Sequence, residues 1–184
     1  MTRFRRRKGT VVVSFADHEA EILANLLRNL VELLYDGMPP RVTAGGDPLA
    51  ELLDNDGPTA PPEDEVLQRL LPDAYRTDDE SAAEFRRFTE RSLRAGKAGD
   101  AKLVLTAIED AESVSDGIPI DGDDQLAWLR AINDLRLALG TRLGVEQDDY
   151  EFWQNLPDDD PRSLTYDLYD WLGYLQSALL HNMR

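Results

Sequence analysis

Residues 128–143, WLRAINDLRLALGTRL, place a cation where a core residue should be. At about 100° per residue, Trp128, Ile132, Leu135, Leu139 and Leu143 share one narrow helical stripe. Arg136 falls inside that stripe, roughly 40° from Ile132. A guanidinium withdrawn from water is costly unless it is paired, so the segment predicts a packed helix and a carboxylate brought to Arg136 from elsewhere. Glu19 and Glu84 are the candidate partners. Arg87, Asn133 and Asp134 are expected to join them in a half-buried ion-pair network, with Arg76, Arg86 and Arg142 on or beside the same helices. The other reading of this polar set is a charged groove that receives an acidic or helical partner.

At 184 residues the chain is long enough for one domain with a real core and too short for two large ones, which predicts a single helical domain over 1–184. No apolar run approaches the roughly 18 residues of a membrane helix, so no membrane partner is expected. The basic start, MTRFRRRK, is not followed by a signal-like apolar stretch, and a cytoplasmic protein is the expectation. The absence of cysteine removes disulfides, thiolate metal sites and thiol nucleophiles from this sequence. Met38 and Met183 can be oxidised but make poor switches.

Metal and catalytic patterns are missing or incomplete. His18 and His181 are too few for an ordinary zinc site. Asp121, Asp123 and Asp124 resemble part of a calcium loop but lack its glycine and its closing glutamate. Asp158, Asp159 and Asp160 read as an exposed cluster at a helix start. There is no Gly-x-Ser-x-Gly and no His-Glu-x-x-His. The expectation is a protein that is not an enzyme and carries neither cofactor nor metal.

The net charge is −16, yet Arg3, Arg5, Arg6, Arg7 and Lys8 gather five cations at one end, so the rest is more acidic still. Such a body repels phosphate backbones, which confines any direct DNA contact to the N-terminal arm. Residues 3–15 read as a basic hairpin arm turning at Lys8-Gly9. Strand alternation puts Arg3, Arg5 and Arg7 on one face and Phe4 on the other. Arginines so placed either guard an edge strand against aggregation or contact a partner.

A first helix is predicted over 16–35, capped by Ser14 or Asp17, with Glu19 near the centre of its apolar face. Residues 37–62, rich in glycine and proline, read as a mobile loop region with a short helix over 48–53. Helical patterns follow over 63–71 and 78–95, the latter with Ser81, Phe85, Phe88 and Ser92 along one side. Gly96 and Gly99 interrupt it before 100–112 resumes with Val104, Ile108 and Ala111 facing in, leaving two helices or one kinked helix open. Ile118-Pro119-Ile120 reads as an apolar linker, Asp121 as the next N-cap and Gly144 as the matching C-cap. A short helix over 148–155 precedes a last one over 161–181, whose stripe is Leu164, Leu168, Trp171, Leu172, Leu175 and Leu179. Tyr166, Tyr169 and Tyr174 flank that stripe as interface or boundary residues, and a homodimer through this helix is left open. The fold class is mainly α, a helical bundle with a short N-terminal β-hairpin.

PDAYRTDDESAAEFRRFTERSLRAGKAGDA (72–101), WLRAINDLRLALGTRLGV (128–145) and YDWLGYLQSALL (169–180) resemble an actinobacterial family long catalogued as a domain of unknown function. Some of its members are named oxidative-stress transcriptional regulators, and many are encoded beside the adaptor of the Clp protease. The resemblance covers nearly the whole chain. It implies a regulator acting through protein contacts with a sigma factor or RNA polymerase, a role that suits an acidic body meeting a basic partner. An adaptor linked to Clp-type proteolysis is the alternative it carries. Thiol-based redox sensing, open to members with cysteine, is not open to this sequence.

Overall fold

The structure is a computed structural model that describes residues 2–38, 57–75, 77–146, 149–157 and 159–183. Strands β1 (Arg3–Arg7) and β2 (Thr10–Ser14) pair antiparallel with Arg7 opposite Thr10, so Lys8 and Gly9 alone make the turn. Both have positive φ, 52° and 91°, the handedness that matches a two-residue hairpin to strand twist. Ile118–Ile120 is a third strand, β3, antiparallel to β2, and not the linker its sequence suggested. Pro119 fits there because β3 is an edge strand and its exposed middle residue needs no donor on the open side. Gly117 leads the chain in at φ +119°, where a Cβ would lie 2.5 Å from Val12 Cγ1.

One face of this sheet is apolar. Val11, Val13, Ile118 and Ile120 are buried there with Phe15 and form a common core with the helices. Six helices are found among the described residues: α1 (Asp17–Tyr35), α2 (Glu65–Leu70), α3 (Asp79–Glu109), α4 (Gln125–Leu143), α5 (Tyr150–Gln154) and α6 (Ser163–Met183). α1 packs on α3, α3 on α4, and α4 on both α2 and α6. Mainly α with a small N-terminal sheet is the observed class, as the hydrophobic periodicity predicts. No helix among the described residues is long and apolar enough to cross a membrane.

Several local expectations are corrected. α1 takes Ala16 as its N-cap, not Ser14 or Asp17; alanine has no side-chain acceptor for the first turn, and Glu19 reaches back to receive the Ala16 N–H at 2.9 Å. α3 is one continuous helix of 31 residues, about 46 Å long, and neither Gly96 nor Gly99 breaks it. Both glycines face solvent, while Ala98 and Ala101 beside them are wholly buried, so packing overrides weak propensity. α4 starts after Asp124 in place of Asp121. Its end matches expectation: Gly144 is left-handed at φ 72°, and the Val145 N–H returns to the Gly140 carbonyl at 2.9 Å. In α6, Leu172, Leu175 and Leu179 carry the stripe, whereas Leu164 is 71% exposed. The loop and short helix predicted within 39–56 lie outside the described residues, as does Arg76.

Candidate functional site

The largest departure from the sequence pattern is in the first half of α3. Ala82, Arg86, Glu90, Arg94 and Ala98 recur every four residues and form its buried row. Phe85 and Phe88, which the sequence places along one side of the helix, are exposed. Both arginines of the row are paired, while Glu90 Oε2 is buried without a donor. Arg86 donates to Asp73 at 2.7 Å and to the Thr59 carbonyl. Arg94, 5% exposed, donates to Glu90 Oε1 at 2.8 Å and to the carbonyls of Leu34 and Asp36. α1 has no cation of its own in its last turn, and Arg94 provides one. The i, i+4 spacing of Glu90 and Arg94 was visible in the sequence, but nothing there marked it as buried.

The ion-pair network expected around Arg136 does not assemble. Glu19 sits at the start of α1, where it also accepts the Thr2 N–H, and Glu84 is exposed. Arg87 lies over the Phe88 ring with its Nε buried and without an acceptor. Asp134, 2% exposed, faces α3 and pairs with Lys97 Nζ at 2.8 Å, beside the Arg130–Asp100 pair. Arg142 pairs with Asp64, the N-cap of α2.

Arg136 itself is half-buried with no carboxylate among the described residues at ion-pairing distance. Its Nη1 donates to Gln176 Oε1 at 3.2 Å and its Nη2 to the Tyr169 hydroxyl at 3.3 Å. The guanidinium also lies 4.8 Å from the Tyr169 ring centre. Its Nε is buried without an acceptor. Gln176 in turn donates from Nε2 to Asn133 Oδ1 at 3.2 Å. Neutral partners from α6 therefore stand where the stripe argument required an acid, because a guanidinium can spread its charge over a ring and two oxygens. This arrangement floors a cleft of about 440 Å³ whose lining also includes Arg69 and Glu146.

The three tyrosines have separate settings. Tyr166 is buried at 8% exposure and stacks on Trp153 at 5.4 Å, so it is not the half-exposed interface residue expected. Tyr169 belongs to the Arg136 cleft. Tyr174, 42% exposed, donates to the Thr2 carbonyl at 3.1 Å and ties α6 to the start of β1. At the hairpin, Arg3, Arg5 and Arg7 share the outer face opposite Ser14, Val12 and Thr10, while Phe4 turns inward against the core. All three arginines are exposed, and Arg5 donates to the Asp116 carbonyl at 2.9 Å. Arg6, also exposed, reaches back to Gly9.

Two carboxyls are shifted in opposite directions. Burial pushes Asp134 above the usual aspartate range, against the smaller pull of Lys97. Asp160 is held down to about 2 by hydrogen bonds from the Arg162 side chain and backbone. A carboxyl raised on folding adds most stability below its unfolded value and loses it as pH rises through the folded one. Asp134 should thus make the fold relatively more stable on mild acidification. Its Cγ resonance in carbon-labelled protein should show a midpoint above that of a free aspartate, and Asp134→Asn should remove the matching proton uptake. A midpoint at or below the free value would contradict this account.

Across residues 1–183 the chain matches a family described as a domain of unknown function, DUF2017. The oxidative stress regulator AosR of Mycobacterium tuberculosis (strain ATCC 25618 / H37Rv) is 34% identical over 183 residues, 91% of this chain and 79% of that protein. A putative oxidative stress regulator AosR of Mycobacterium leprae (strain TN) is 34% identical over 179 residues, covering 90% and 78%. The chain belongs to this actinobacterial family of oxidative-stress regulators. No solved structure matches it. In this DUF2017 chain no three histidine, aspartate or glutamate side chains among the described residues converge as a metal site requires. The geometry offers instead two cationic features, the outer face of the hairpin and the Arg136 cleft.

Proposed function

We propose that this chain is a non-enzymatic regulator that engages a sigma factor or RNA polymerase through protein contacts, with Arg3, Arg5 and Arg7 as part of the contact surface. The observation that carries this reading is charge segregation. Three exposed arginines follow one another at alternate strand positions, with backbones about 7 Å apart, on one sheet face of a protein whose net charge is −16. A molecule charged in this way docks in one orientation, because its arm seeks an acidic patch while its body avoids one. Duplex DNA, uniformly anionic, attracts the arm and repels everything behind it. The regulator names of the mycobacterial relatives support the same reading.

Binding of the purified chain to mycobacterial RNA polymerase and its sigma factors, measured by interferometry at low and moderate salt, tests the proposal. The expected result is saturable binding that weakens about tenfold or more in the Arg3→Ala/Arg5→Ala/Arg7→Ala variant at unchanged melting temperature. No binding to any of these subunits would overturn it. So would binding to the Clp adaptor or unfoldase alone, or retardation of duplex DNA with no protein partner.

A further inference from the structure

The cleft floored by Arg136 has features that a structural arginine does not need. The chain has 36 acidic against 20 basic residues, and six arginines are matched to carboxylates at 2.8 Å or less. Arg136, more withdrawn from solvent than most of these, has only an amide and a phenol, both at long distances, and one N–H without an acceptor. The orphan Nε–H is buried, and the second N–H on each of Nη1 and Nη2 is the donor capacity left at the cleft that Arg136 lines. Arg69 lines the same cleft, is exposed, and makes no ion pair among the described residues.

A third donor is oriented by the polar chain behind. Arg136 donates to Gln176, and Gln176 donates to Asn133 Oδ1, which leaves Asn133 Nδ2 as the donor available at the cleft wall. Two glycines lie against the side chains of this arrangement. A Cβ at Gly173 would stand 3.4 Å from Arg136 Nε, and one at Gly140 would stand 3.1 Å from the Tyr169 ring. The carbonyls at the end of α4 do not compete, since the turn at Gly144 already occupies those of Gly140 and Thr141.

We propose that this cleft binds a carboxylate, held by the Arg136 guanidinium with Arg69 and Asn133 as the flanking donors. A planar monoanion matches the two-pronged guanidinium edge. A phosphate dianion would put two charges on the one bound group beside Glu146 on the rim, where a carboxylate group puts one. The carboxylate can belong to a free small acid or to an acidic side chain of a peptide, and the site's chemistry is the same for both. This site is distinct from the hairpin face and does not depend on it.

The test follows the Arg136 Nε–H resonance of the full chain in nitrogen-labelled protein at constant ionic strength. Sodium succinate, a capped tetraglutamate peptide and sodium phosphate are the probes. The expected result is a saturable shift with succinate or with the peptide, and the arm that binds more tightly identifies the source. Arg69→Met, on the exposed rim, should weaken that binding about tenfold. Arg136→Lys, which keeps charge but loses the fork, should weaken it at least as much. No saturable shift with either carboxylate would overturn the proposal. So would phosphate binding equally well, or undiminished binding by folded Arg69→Met.

Discussion

Glu90→Leu should cost about 3–5 kcal/mol of folding stability, enough to lower the melting temperature of a chain this size by roughly 6–20 °C. The carboxylate is 2% exposed and is, among the described residues, the acid paired with Arg94, itself 5% exposed on the next turn of α3. Without it Arg94 keeps, among the described residues, the carbonyls of Leu34 and Asp36, which are dipoles and not countercharges. The penalty belongs to the stranded cation more than to the lost contact. Glu90→Leu/Arg94→Met should therefore recover most of the loss, leaving the deficit of two uncapped carbonyls at the end of α1. Chemical denaturation of the three proteins measures this, and a double variant no better than Glu90→Leu would refute it.

The second large effect is at Trp128. This ring is 1% exposed and stacks on Phe15 at 6.5 Å between centres, with the planes 13° apart. Phe15 directly follows β2, so the contact joins the middle of the helical core to the sheet. Trp128→Ala opens a cavity that neighbouring leucines can fill only in part, at about 3–5 kcal/mol. Because Phe15 loses its support, the amides of Val11 and Val13 should exchange faster than those of α3. A loss below about 1 kcal/mol, or uniform exchange, would show that the sheet does not depend on this stack.

The α4 stripe was legible because Trp128, Ile132 and Leu135 repeat at a spacing that only a helix satisfies, and those residues are buried as the spacing requires. The hairpin was legible for a similar local reason: Lys8-Gly9 can turn with both φ values positive, and alternation then fixes which face each arginine takes. β3 was not legible, since three residues with a central proline carry no pattern and become a strand only by pairing with β2. α3 misled for the opposite reason. Its aromatics formed the more hydrophobic side, yet its buried side is a narrow row in which Glu90 pairs with Arg94 and Arg86 with Asp73.

The same contrast governs the site. That Arg136 would be drawn into the structure followed from its neighbours in sequence. That its partners would be Gln176 and Tyr169 did not, because both lie on α6, more than thirty positions away, and reach it only once α4 and α6 pack. Sequence by itself determined where most helices run, turn chemistry, the acidic body and the basic arm, since each depends on residues close along the chain. Tertiary structure alone decided which charges are buried, which acid answers which base, and which arginine was left with donors to spare. The physical reason is that burial and ion pairing depend on distances across the core, and these are set by every packed element at once.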